Sequence, residues 1–259
     1  MMGLTDTQKF LFDLQGYLLI ENALRTDEIE ALKTLAYELA RQKHPEEWSW
    51  TAEGEPAHRM RIHRPFEKDE TYLGALTHPS YIDIITQITG GAPKLIDNDI
   101  DLVPHDKNQQ GWHRGVEPYG YAVHNGVPFC TMVKIAVYLT DVGPGEGPTR
   151  IIPGSHKANF LPGDLYGSLE DKPGSIELTV KAGTALIFSE ALLHAGNVNM
   201  SSKTRVNFYI NYGPSWVEPW EGYRPSESIR SQSSGLLKQL LGGGRIYNHS
   251  EEHGLRTYR

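Results

Sequence analysis

The chain has 259 residues, of which 39% are hydrophobic and 22% charged, with a formal net charge of −7. That is the composition of a globular protein, sized for one jelly roll or barrel, and not of a disordered chain. The acidic balance excludes nucleic-acid binding by bulk charge, no apolar run approaches the ~18 residues that span a bilayer, and a single cysteine, Cys130, excludes a disulfide framework or a cysteine-rich zinc site.

Residues Asp6 to Arg41 read as two helices around a short strand, Gly16-Tyr17-Leu18-Leu19-Ile20. Thr26 is the expected N-cap of the second helix, with Asp27 and Glu28 in its first turn. Ile29, Leu32, Leu35 and Ala36 form its core-facing stripe. Asp6 and Asp13 break any basic-then-apolar order at the start, so no signal peptide is expected, and the lone cysteine fits a reducing cytoplasm. From Gln42 to Phe66 the chain reads as irregular and polar, becoming basic at His58-Arg59-Met60-Arg61-Ile62-His63-Arg64. A further helix is expected from Ser80 to Ile88, stopping at Gly90-Gly91.

Beyond it the pattern turns to short β runs between turns: Pro93–Asp101, Thr131–Tyr138, Ser175–Val180, Ala185–Phe188 and Val206–Tyr212. The expected organisation is mainly β with flanking helices (α+β). A helical brace spans about residues 1–92, a sandwich or jelly-roll core about 93–215, and a polar, Gly-rich appendage or lid about 216–259, all in one domain.

Eleven histidines exceed what packing needs. His113, in Gly111-Trp112-His113-Arg114-Gly115, and His194, in Phe188-Ser189-Glu190-Ala191-Leu192-Leu193-His194, are 81 residues apart, a separation that strands of a closed sandwich can bridge. An imidazole pair on rigid strands suits Fe(II). Arg205, 11 residues after His194, falls on the next strand, where a guanidinium can grip a carboxylate in bidentate fashion.

These residues sit within a wider resemblance. The opening Phe12-Asp13-Leu14-Gln15-Gly16-Tyr17-Leu18-Leu19-Ile20-Glu21-Asn22-Ala23-Leu24, the stretch Leu139-Thr140-Asp141, and the run Gly147-Pro148-Thr149-Arg150-Ile151-Ile152-Pro153-Gly154-Ser155-His156-Lys157 resemble the phytanoyl-CoA dioxygenase family of Fe(II)/2-oxoglutarate oxygenases, over roughly Thr7 to Pro214. The resemblance implies a cupin-like double-stranded β-helix. It implies that His113 and His194 hold iron, that Arg205 holds 2-oxoglutarate, and that O2 is the co-substrate.

The departure lies at the proximal site. The family pattern there is His-x-Asp, and this chain has His113-Arg114-Gly115. A glycine in that place resembles the iron-dependent aliphatic halogenases, in which chloride takes the vacated position. The leading expectation is therefore a halogenase of secondary metabolism, with Gly115 making room for chloride. Glu117, Asp106 or water completing the iron shell gives the alternative, a hydroxylase. A binding protein that has lost its activity is the reading from another class.

Lys134 lies mid-strand on one face with Met132, Ala136 and Tyr138, so it faces either solvent or an anion such as 2-oxoglutarate. Arg59, Arg61 and Arg64 are expected to bind a phosphate or carboxylate of a small, nucleotide-like substrate, with a carrier-bound substrate as the rival. His156 reads as structural, His105 and His124 as surface residues, and Cys130 as buried filler.

Overall fold

In the structure, a computed structural model that describes residues 3–106, 110–160, 166–168, 170–243, 247–249 and 256–258, the chain opens on helix α1 (Asp6–Gln15). Thr5 caps it in a capping box with Gln8, and Gly16 closes it at a φ of 85°. Strand β1 (Tyr17–Ile20) follows, then helix α2 (Thr26–Lys43), which buries Ile29, Leu32, Ala36, Leu39 and Ala40. Its N-cap is Arg25 rather than Thr26. The Arg25 backbone N–H donates to Glu28 Oε2 at 2.8 Å, so the acid in the first turn satisfies the end that Thr26 was expected to cap. Helices α3 (Glu70–Ala75) and α4 (Ile82–Ile88) complete the brace, α4 starting two residues later than the Ser80 expected and ending before Gly90 and Gly91, both at positive φ.

The basic stretch expected to be irregular contains a strand, β2 (Met60–His63). It pairs antiparallel with β3 (Pro93–Val103), burying Met60 and Ile62 and turning Arg61 and His63 the other way. A hairpin, β4 (Tyr121–His124) and β5 (Val127–Cys130), follows, then β6 (Val133–Tyr138), β7 (Thr149–Ile151), β8 (Ile176–Leu178), β9 (Ala185–Ser189), β10 (His194–Gly196) and β11 (Arg205–Pro214).

Besides the β4–β5 hairpin and a two-stranded pairing of Tyr247–His249 with Arg256–Tyr258, two larger antiparallel sheets result, one of six strands in the order β1-β9-β6-β11-β3-β2 and one of three in the order β10-β7-β8. Alternation along each strand divides the large sheet into two faces. Val133, Ile135 and Val137 of β6 and Phe208 and Ile210 of β11 pack under the helices with Leu32, Ala36 and Ile85. Ala136, Tyr138, Leu186 and Phe188 point the other way and meet Ile151 and Leu178 of the small sheet. This is the cupin-like jelly roll expected from the sequence, and the space between the sheets is where the polar residues of the inner faces collect.

The described residues 215–242 after β11 dock on the rest of the fold. Leu240 and Leu241, beyond helices α5 (Glu227–Gln232) and α6 (Gly235–Lys238), are buried in the helical core, and the Trp220 backbone N–H donates to Ile96 O at 3.3 Å. Among the described residues no helix is long and apolar enough to cross a membrane.

Candidate active site

The polar residues of the inner faces surround a cavity of about 280 Å³ between the sheets. His113 and His194 lie at its heart. Their backbones exchange two N–H···O bonds of 3.0 Å in an isolated antiparallel bridge, which puts both side chains on one face, and the ring centroids are 4.1 Å apart. His113 Nδ1 sits 2.9 Å from Gly111 O, and His194 Nδ1 2.9 Å from Leu192 O. Each carbonyl accepts the Nδ1 proton, which leaves Nε2 as the lone-pair nitrogen on both rings. Burial, and then the nearby His113, pushes the His194 pKa down to about 3, and burial lowers that of His113. Both rings are therefore neutral at neutral pH, the state in which imidazole binds metal.

Arg205 opens β11 and reaches the same cavity. It is 6% exposed and donates through Nη1 to Gly147 O, while Nε has no partner among the described residues. No carboxylate among the described residues pairs with it, so its charge is buried beside one backbone carbonyl. Arg114 is also buried and lines the cavity, with Glu117 as its ion-pair partner at 3.8 Å.

Gly115 lines the cavity, and its α-carbon faces Glu190. A methyl group built on it would overlap Glu190 Oε2 and stand 2.9 Å from Glu190 Cδ. The φ of Gly115 is not in the left-handed region, so what requires glycine there is space and not backbone conformation. Glu190 is 2% exposed and forms an ion pair with Lys134. Burial opposes its charge, but Lys134 and then His194 hold its carboxyl below the usual range. Gly115 was expected to make room for a halide, and the space directly at its α-carbon is taken by the Glu190 carboxylate. A carboxylate already fills the space, and a second anion beside it meets like-charge repulsion in a buried setting.

The other expected residues are placed as follows. Lys134 faces the cavity, where Glu190 and Asp97 outweigh burial and keep its pKa raised. Its anion is thus Glu190. Arg61 makes a bidentate pair with Asp101, at 2.7 Å from Nε to Oδ1 and 2.9 Å from Nη2 to Oδ2, and Arg59 also binds Asp101. Arg64 is held by Glu67 at 2.7 Å and by Gly222 O at 3.2 Å. Arg61 lines the cavity, whereas Arg59 and Arg64 do not. The basic cluster expected to grip a substrate anion is thus occupied by the protein's own carboxylates.

Glu117 is exposed, beside Arg114 and Tyr166, and Asp106 bridges Asn199, so neither lines the cavity. His156 is buried against Tyr121 at 4.5 Å, away from the histidine pair, and His105 and His124 are exposed. Cys130 is buried, its thiol pushed up to about 12 by that burial.

Four carboxylates of the cavity stand outside the family motif: Glu190 and, along β3, Asp97, Asp99 and Asp101. Asp97, Asp99 and Asp101 alternate along β3 opposite Asn211, Tyr209 and Asn207 of β11, so all three share the inward face. Burial raises the Asp97 pKa to about 6, and Asn211 Nδ2 donates to its Oδ2 at 2.7 Å. Asp99 accepts from Tyr223 Oη at 2.9 Å and lies 2.8 Å from His63 Nδ1. The visible signal was an Asp at every second position of a strand, which is costly inside a sandwich unless the face is a site.

Residues 12–207 match the phytanoyl-CoA dioxygenase (PhyH) family. The chain belongs to that family. Among its relatives, L-proline trans-4-hydroxylase of Streptomyces griseoviridis is 23% identical over 88% of this chain and 94% of its own. Ectoine dioxygenase of Sphingopyxis alaskensis is 22% identical over 79% and 74%. Of solved structures, HygX from Streptomyces hygroscopicus with nickel and 2-oxoglutarate bound superposes with a TM-score of 0.75 at 19% identity, over 90% of this chain and 96% of that one.

Proposed function

We propose that this PhyH-family chain is an Fe(II)/2-oxoglutarate-dependent hydroxylase of a small polar molecule. The observation that carries the reading is the convergence of two neutral histidines, His113 and His194, in one cavity with the unpaired guanidinium of Arg205. The histidines offer Nε2 to a metal. Arg205 offers an opposite charge and free N–H groups to a dicarboxylate. Iron and 2-oxoglutarate bound there would supply the oxidation of an aliphatic C–H bond by O2. The overall balance is substrate C–H plus 2-oxoglutarate plus O2 giving substrate C–OH, succinate and CO2.

This replaces halogenation as the leading reading. Glu190 occupies the space beside Gly115, and the relatives reported above carry hydroxylase and dioxygenase names. The tight cavity and the inward aspartates of β3 favour a substrate with a cationic nitrogen over a nucleotide. Asp97 and Asp99 supply acceptors for it, while the arginines that would hold a phosphate are already paired.

The test is anaerobic loading with Fe(II) and 2-oxoglutarate, exposure to O2, and a panel of amino acids, cyclic amines and aminoglycosides, in chloride and then in bromide. Succinate with a product one oxygen atom heavier, the same in both salts, supports the reading. A halogenated product, or no succinate with any substrate, refutes it.

A further inference from the structure

We infer that Glu190 replaces the carboxylate that residue 115 lacks, completing a two-histidine, one-carboxylate metal site from the other side of the cavity. The inference rests on the proposed function and concerns which side chain completes its metal site.

Steric fit comes first. Glu190 Oε2 stands where the side chain of residue 115 would emerge, so the glycine and the glutamate require one another. The backbone fixes this approach. Gly115 N–H donates to Glu190 O at 2.8 Å, and Glu190 N–H donates to Met132 O at 3.0 Å. The residue is thus pinned between the strand β6 approach and the His113 loop. It is also four positions before His194, so one short segment delivers both a ligand and the carboxylate.

The second line is unsatisfied bonding. A carboxylate has about four lone-pair sites. Glu190 Oε1 is the oxygen that pairs with Lys134, as an ion pair without hydrogen-bond alignment, and among the described residues no hydrogen bond reaches Oε2. A buried anion so sparsely partnered is costly unless something else binds it. Of the other acids, Asp101 is bound by Arg59 and Arg61, Glu117 lies at the surface beside Arg114, and Asp97 and Asp99 sit on β3 with Asn211, Tyr223 and His63 as neighbours.

Among the described residues, no three His, Cys, Asp or Glu side chains stand close enough to hold a metal as they are. Binding therefore requires the Glu190 carboxylate to turn from Lys134 toward the histidine pair. Lys134 is then the resting partner of a displaced ligand.

The probe is Co(II) with 2-oxoglutarate, followed by calorimetry and by the visible absorption of the metal. Glu190→Ala is expected to weaken Co(II) binding by more than about 100-fold, beyond the ~10–100-fold that an outer hydrogen-bonding partner produces. Gly115→Asp/Glu190→Ala, which returns the carboxylate to residue 115 and removes the clash, is expected to regain most of that loss. Unchanged affinity in Glu190→Ala overturns the inference. So does recovery of binding in Lys134→Met/Glu190→Ala, because Glu190 would then serve only as the counter-ion of Lys134. If the variants do not fold, crystals of the unaltered protein with Co(II) and 2-oxoglutarate decide. Glu190 on the metal supports the inference, and Glu190 still on Lys134 overturns it. Failure of the unaltered protein to bind Co(II) at all would instead defeat the proposed function itself.

Discussion

The carboxylate of Glu190 lies directly over the α-carbon of Gly115, in the space a side chain there would need. The two residues are therefore energetically coupled even without metal. Gly115→Ala is expected to cost about 1–3 kcal/mol, the usual cost of overpacking. In a Glu190→Ala background the added methyl has room, and its cost is expected to fall by about 0.5–3 kcal/mol, the range for residues in contact. Urea unfolding of the metal-free protein and the three variants measures this coupling. Strictly additive effects would mean that Glu190 does not occupy that space in solution.

Arg205 is buried with one carbonyl contact and a free Nε, a guanidinium waiting for an anion. Arg205→Lys keeps the charge but loses the planar fork. A hydrogen bond to a charged group contributes about 1.5–3 kcal/mol, so 2-oxoglutarate binding is expected to weaken about 10–100-fold. Metal binding without 2-oxoglutarate should change little. Titrating the cofactor into the metal-loaded variant separates the two, and equal affinity for 2-oxoglutarate would remove Arg205 from its site.

His113, His194 and Arg205 were legible from sequence because two histidines and an arginine on separate strands matched the family resemblance, and the structure brings all three to one cavity. Glu190 was not. Its role depends on a close approach between two segments 75 residues apart, and no local pattern encodes that. Strand β2 was hidden for a similar reason. Arg61 and His63 look like loop residues until Asp101 and Asp99 are known to lie on the adjacent strand. The helices were the easiest to read, since their apolar spacing and end signals are local, and Arg25 shows that even there the cap shifts by one residue.

His156 gives a pH prediction independent of the metal site. It is buried against Tyr121, and burial lowers its pKa to about 4. An unfolded histidine titrates near ~6.5, so between these values the unfolded chain takes up a proton that the native state refuses. The resulting stability is present above pH ~6.5 and is lost as pH falls toward 4. His156→Phe keeps an aromatic partner for Tyr121 and removes the titration. Its stability-versus-pH slope in that window is expected to be shallower by up to about 1.4 kcal/mol per pH unit. Parallel slopes for the two proteins in urea unfolding would contradict the burial of this ring.

Asp101 decides whether the arginines of β2 are available to a ligand. It is almost fully buried, and Arg59 and Arg61 both bind it. Burial raises its pKa, but the two guanidinium groups outweigh this and hold the carboxyl below the usual range. In the unaltered protein they therefore have little to offer a phosphate. Asp101→Ala removes the internal anion and leaves two cations beside the cavity. Inorganic phosphate or a nucleoside monophosphate is expected to bind this variant in a salt-dependent manner, and not to bind the unaltered protein measurably. Calorimetric titration of both proteins at low and high salt makes the comparison. Tight phosphate binding by the unaltered chain would show that Asp101 yields its arginines to a substrate, and would return an anionic substrate to the leading position.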